Sequence, residues 1–229
     1  MTAPGSVYLA ASSHPAPLRA MATRILAAFH QKRPLRVAAT YAAVPGGHGP
    51  RGGAFVEGLF GGAKVTRFTV AGEKDAMPAA QARAIVEEAD VVFVGGGDPV
   101  RGARLLVSAG ADAWLRAARA RGAHSLGISA GAMMLCAWWA DWPDEPPPGA
   151  PHDGGELVSG VRVVPDLVVD CHAEDDGWSE LYLVRGLLRD RLGDAAPMPR
   201  LFGLPTAGGV VVGPAGALEH IGAAPYELA

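Results

Sequence analysis

The chain has 229 residues, 49% of them apolar and 19% charged, which is enough to bury a sizeable core as one α/β domain or two small ones. A net charge of −3 with no basic stretch argues against nucleic acid as a partner. No run approaches the roughly 20 apolar residues of a membrane span, so no membrane partner is expected. Two cysteines, Cys136 and Cys171, are too few for a disulfide framework and point to a reducing compartment. The short apolar run Val7–Ala11 has no basic segment ahead of it, so no secretory signal is evident and the expected location is cytoplasmic.

Ser6–Ala11 reads as a first strand. After the turn Ser12–Pro15, Pro17 stands at the first position of a helix running to about His30. Leu18, Met21, Ile25, Ala28 and Phe29 recur along it at helical spacing. Leu35–Ala43 is the second strand. The loop Val44–Gly53, rich in Gly and Pro, carries His48 and Arg51 and reads as a surface loop or as a wall of a ligand crevice. A helix near Ala54–Phe60 leads into strand Lys64–Val70. Pro78 opens helix Ala79–Ala89, which is followed by strand Val91–Val94 and the bare turn Gly95-Gly96-Gly97-Asp98. Helical stretches at about Val100–Val107 and Ala111–Arg121 come next. Strands alternating with helices predict a mostly parallel sheet with helices on both faces.

Leu126, Gly127 and Ile128 then read as the end of a buried strand, and Ala130–Cys136 as the opening of a buried helix. Ser129 sits at the joint in a G-x-S-x-G spacing, the nucleophile elbow, where a strained turn lifts the hydroxyl off the sheet and demands small neighbours. The N–H after the serine could stabilise an oxyanion. The plainer reading is a serine that caps a core helix. The second Gly-rich turn, at Gly95–Asp98, favours an acyl-transfer site.

Past Cys136 the pattern changes. The stretch from Trp138 to Gly155, with its Pro146-Pro147-Pro148 run, reads as a long loop, either a lid or wall of the site or a plain insertion. Val161–Val164 and Leu167–Asp170 are strand candidates, the second delivering His172 at a strand end ahead of Glu174, Asp175 and Asp176. Ser179–Leu192 is a helix. Arg200–Leu204, Val210–Val212 and Ala217–Ile221 finish the sheet with antiparallel pairs. Without repeats or a linker, residues 1–229 are expected to form a single domain.

With Val-Gly-Gly-Gly-Asp, Gly-Ile-Ser-Ala-Gly-Ala and Val-Asp-Cys-His in this order and spacing, the chain resembles the aspartyl dipeptidase (peptidase E) and cyanophycinase family of serine peptidases. The resemblance implies a three-layer α/β/α sandwich similar to class I glutamine amidotransferases, and hydrolysis of a small peptide or amide. Carried over, Ser129 is the nucleophile and His172 the general base, with the N–H groups of Ala130 and of Gly96 or Gly97 as the oxyanion hole. No cofactor is implied, and the expected partners are that substrate and a second copy of the chain in a homodimer.

The sequence departs from the family in three places. The late turn that carries the family's orienting Glu is here Gly203–Gly208, with Thr206 at the matching position and no carboxylate between Arg200 and Gly216. A substitute acid has to come from elsewhere: Asp144 is the first choice, with Glu145, Asp170, Glu174 and Asp175 as others. The family's basic residues just past the His give way to Asp176 and Trp178, which would bind neutral, aromatic or cationic ligands rather than aspartyl peptides. Pro99 stands where the family has a polar side chain. A catalytically impaired, ligand-binding relative is therefore the alternative function. Asp98 is a candidate ligand-binding residue or simply the cap of the next helix. Cys171 beside His172 lacks a second ligand cluster, so no metal is expected.

Overall fold

The computed structural model describes residues 3–29, 33–46, 49–142, 155–193 and 196–229. Short apolar strands alternate with helices over the first 135 residues: β1 (Val7–Ala10), α1 (Pro15–Ala28), β2 (Arg36–Thr40), α2 (Gly49–Phe60), β3 (Lys64–Arg67), α3 (Ala79–Glu88), β4 (Val91–Val94), α4 (Pro99–Ser108), α5 (Ala111–Ala120), β5 (His124–Ile128) and α6 (Ala130–Leu135). There follow β6 (Trp138–Asp141), β7 (Glu156–Ser159), β8 (Leu167–Cys171), α7 (Ser179–Leu192), β9 (Arg200–Leu204), β10 (Gly208–Val212), β11 (Leu218–Gly222) and β12 (Tyr226–Leu228).

The central sheet has seven strands in the order β11-β10-β1-β5-β4-β2-β3. Strands β1, β5, β4, β2 and β3 run parallel, and β10 and β11 add an antiparallel edge. A strand buried on both faces needs apolar residues at successive positions, and VYLA of β1 and VVFV of β4 supply them. Val7, Leu9, Val92 and Val94 face one core with α3, α4, α5 and α6, while Tyr8, Ala10, Val91 and Phe93 face another with α1 and α2. This is the expected three-layer α/β/α arrangement with a mostly parallel sheet.

Four local readings are corrected. Helix α1 starts at Pro15, not Pro17, whose ring is buried. Trp138–Asp141 is a strand rather than part of a loop, because it pairs antiparallel with β7, and Trp139 and Ala140 are buried. Val161–Val164 is not a strand. Its amides instead cap the end of α6, with Val161 N donating to Met134 O at 2.8 Å and Val164 N to Leu135 O at 3.0 Å. Strand β9 does not join the central sheet: it lies between β8, to which it is parallel, and β12, to which it is antiparallel. The parallel strands β4 and β5 end at Gly95 and Ser129, and β8 ends beside them at His172. Crevices at the carboxyl ends of such strands are where α/β proteins bind ligands.

Candidate active site

Ser129 is held in a conformation that non-glycine residues rarely adopt, with φ 53° and ψ −124°. Its neighbours make that possible. A Cβ on Gly131 would run into Val94 O, and one on Gly127 would lie 2.6 Å from Gly131 O, so neither position tolerates a side chain. The Ser129 amide donates to Ala10 O at 2.9 Å, and its carbonyl accepts from Ala132 N at 2.8 Å and Met133 N at 3.2 Å. The surrounding structure thus over-determines a strained residue, as is common at functional sites.

His172, just past β8, also has positive φ, at 51°. Its amide donates to Leu204 O at 2.9 Å, which ties the turn to β9. The result is a 2.9 Å contact between Ser129 Oγ and His172 Nε2. Gly96 packs directly on the serine, since a Cβ there would lie 3.3 Å from Ser129 Cβ. Among the described residues, no backbone carbonyl accepts from the N–H of Gly96, Gly97 or Ala130. Ala130 follows Ser129 in the chain and Gly96 packs on it, so two N–H groups without a backbone acceptor adjoin the serine.

Ser129 and His172 line two cavities. The larger, about 600 Å³, also takes Gly97, Ala130, Met133 and Trp139, together with a set of charged residues. The smaller, about 460 Å³, is walled by Tyr41, Phe55, Phe93 and Ile128, with Ser12 and Ser13 at its edge. The sequence reading missed these aromatic residues. Tyr41 and Phe93 sit at or just past strand ends, and that position was the available signal.

The acids divide by environment. Asp170 is 2% exposed; its Oδ1 accepts the Cys171 amide at 2.7 Å, and its Oδ2 is buried without a hydrogen-bond partner among the described residues. Burial, then the nearby Glu180 and Asp176 charges, push its pKa up to about 7 against the pull of the Cys171 amide. Asp98 Oδ1 accepts from Arg101 N at 3.0 Å and so caps α4. Asp176 Oδ1 accepts from Trp178 N at 2.8 Å and Ser179 N at 3.3 Å at the start of α7. Asp98, Asp170 and Asp176 all line the larger cavity.

Glu174 reaches the late turn, where its Oε1 accepts the Thr206 amide at 2.9 Å. Slight desolvation of this exposed residue opposes its ionisation, but the bond from Thr206 and the charge of His172 hold its carboxyl below the usual carboxylate range. Ser12 Oγ fixes the same turn by donating to Thr206 O at 2.7 Å. A carboxylate thus occupies the turn where the resemblance expects one, though it is contributed by a different residue. Among the described residues, no carboxylate hydrogen-bonds His172 Nδ1. Asp144 and Glu145 lie outside the described residues.

Trp178 lines neither cavity. It is 8% exposed, its ring lies where a side chain on Gly203 would be, and it stacks on Tyr226 with ring centroids 6.3 Å apart. Cys171 is buried, and burial raises its thiol pKa well above the ordinary value. Among the described residues, no three His, Cys, Asp or Glu side chains are grouped to hold a metal ion, and no helix is long and apolar enough to cross a membrane.

Residues 69–175 match peptidase family S51. That span contains Ser129, His172 and the Gly95–Asp98 turn. The fold is similar to the crystal structure of a peptidase from an acI-B1 Actinobacterium, with TM-score 0.69 and 19% identity over 99% of this chain and 94% of that one. It is also similar to a protein from Listeria monocytogenes EGD-e assigned as peptidase E, with TM-score 0.66 and 12% identity over 97% of this chain and 100% of that one. No curated protein matches the sequence.

Proposed function

We propose that this chain, whose residues 69–175 match peptidase family S51, is a serine hydrolase that cleaves a small peptide or amide through an acyl-enzyme on Ser129. The observation that carries the reading is the 2.9 Å contact between Ser129 Oγ and His172 Nε2, with the Gly96 and Ala130 N–H groups, adjoining the serine, free of backbone acceptors among the described residues. His172 Nε2 takes the hydroxyl proton as Oγ attacks the substrate carbonyl carbon. The resulting oxyanion accepts hydrogen bonds from Ala130 N and from Gly96 or Gly97 N. Collapse of the tetrahedral intermediate breaks the C–N bond, and the His172 proton leaves with the amine. Water then attacks the ester, gives its proton to His172, and the acid is released as the proton returns to Ser129.

Glu174 is the positioning acid in this reading. Its carboxylate is fixed by the Thr206 amide next to the imidazole, where it would stabilise the imidazolium. A catalytically impaired relative is the second reading, favoured by the lack of a carboxylate bond to His172 Nδ1 among the described residues. Mutant kinetics separate the two. If the pair acts as a unit, Ser129→Ala and His172→Ala each lower turnover by roughly 10³-fold or more, and the double mutant loses little further. Unchanged turnover in Ser129→Ala contradicts the proposal.

A further inference from the structure

We infer that the smaller cavity is a subsite for a neutral apolar side chain, aromatic or branched aliphatic, next to the scissile bond, with Phe55 as its specificity-determining wall. This rests on the serine-hydrolase reading of the same site and adds the chemistry of one substrate group. Ser129, His172 and Gly96 all line this cavity. It therefore opens on the reacting hydroxyl and on one of the candidate oxyanion donors, and a group bound there adjoins the bond being broken.

The floor of the cavity is fixed by packing. Phe93 lies in β4 and Tyr41 directly follows β2; both are buried, with ring centroids 5.9 Å apart. A Cβ on Gly95 would lie 2.5 Å from Tyr41 Cδ1, so the tyrosine ring rests on bare backbone in the turn that also supplies Gly96. Ile128, the last residue of β5, is buried beside Ser129. Side chains carried on strands hold such a pocket open before a ligand arrives. Phe55 differs. It stands on α2, 6.3 Å from Phe93 at an interplanar angle of 58°, yet it is 41% exposed. A large ring left in water at the mouth of an apolar cavity loses that exposure when an apolar group enters. Stacked or tilted ring contacts add to the gain.

The cavity offers nothing to a charged group. Among the described residues that line it there is no carboxylate, lysine or arginine. Burial pushes Tyr41 up to about 12, so it stays neutral. The Ser12 hydroxyl is spent, donating to Thr206 O at 2.7 Å and accepting from His14 N at 3.0 Å. His172 is engaged with Ser129. An ionic side chain entering here would lose its water and find no counter-ion. At about 460 Å³ the cavity falls within the size range of preformed small-ligand pockets, which are mostly apolar with a few placed polar groups.

Titration calorimetry on Ser129→Ala protein measures binding without turnover. The ligands are acetyl-Phe-Gly-amide and acetyl-Gly-Phe-amide, which put the ring on either side of the central peptide bond, and the same pair with Leu, Asp, Lys or Gly in place of Phe. At least one Phe or Leu ligand is expected to bind about tenfold or more tighter than its Asp, Lys and Gly counterparts. The order that binds tells on which side of the bond the subsite lies. Phe55→Ala in the same background is expected to lower the apolar preference about fivefold or more, through the lost ring contact and burial. Phe55→Leu, which keeps an apolar wall, is expected to retain part of it and serves if Phe55→Ala fails to fold. Equal or tighter binding of an Asp or Lys ligand overturns the inference. So does no measurable binding of any Phe or Leu ligand, or an apolar preference that the Phe55 variants leave unchanged. An apolar preference in a protein whose wild type never cleaves these ligands supports the subsite and contradicts the hydrolase reading instead.

Discussion

Ser129 and His172, 43 residues apart in the chain, meet at 2.9 Å, and each is held at positive φ at the end of a strand. The two strands belong to different sheets, β5 to the central one and β8 to the three-stranded one. Cys171 Sγ donates to Ser129 O at 3.6 Å, which joins the ends of the two strands beside the reacting pair. Alignment of the pair depends on the backbone of both turns.

Gly131→Ala tests that dependence. The new methyl would collide with Val94 O, a backbone atom that cannot move without shifting β4. A loss of about 1–3 kcal/mol or more is expected in denaturant unfolding, as for other overpacked positions. Hydrolysis is expected to fall further than the remaining folded fraction explains. Normal stability would show that the turn can relax.

Asp170 makes stability depend on pH. Its carboxyl is pushed from an ordinary 3.8 up to about 7, first by burial and then by Glu180 and Asp176; Arg101 and His172 also line the cavity it borders. The folded state therefore holds a proton that the unfolded state has released, and stability falls as pH rises from about 4 to about 7, then levels off. Asp170→Asn is expected to flatten that part of the curve. Thermal melts across the range measure it, and an identical slope in wild type and variant would refute the assignment.

Glu174→Gln probes the positioning acid. It keeps the shape and removes the charge next to His172. Turnover is expected to drop about tenfold at little change in KM, the scale of one charge acting on the imidazolium without a hydrogen bond to it. The pH profile of kcat should shift with it. Thr206→Glu in the same background returns a carboxylate to that turn and is expected to recover part of the rate. No effect of Glu174→Gln on kcat or on its pH profile would remove the residue from the mechanism.

Much of this site is legible in the sequence because it is built from local signals. Bare glycines around Ser129 and an apolar run ending at His172 mark strand ends, although the placement of β8 in a second sheet is not legible. Helix α7, Ser179–Leu192, and strand β4, Val91–Val94, are readable for the same reason: periodicity within the segment defines them. What depends on distant pairing is not legible. The β6 strand needs β7 to be a strand, and β9 has two neighbours that no local pattern identifies. Trp178 follows Asp176 closely in sequence, yet its left-handed backbone, φ 66°, sends the ring into the core while Asp176 borders the cavity. Glu174 was one of several acids flanking His172, and only the folded turn shows it bonded to the Thr206 amide.

Covalent labelling tests Ser129 most directly. Wild type, Ser129→Ala and His172→Ala proteins are each incubated with a fluorophosphonate, and the adduct is located by peptide mass spectrometry. A serine activated by a histidine 2.9 Å away is expected to give one adduct per chain, on Ser129, in wild type, with little or none in either variant. No adduct on Ser129 in folded wild-type protein, or labelling unchanged in His172→Ala, would contradict its role as an activated nucleophile.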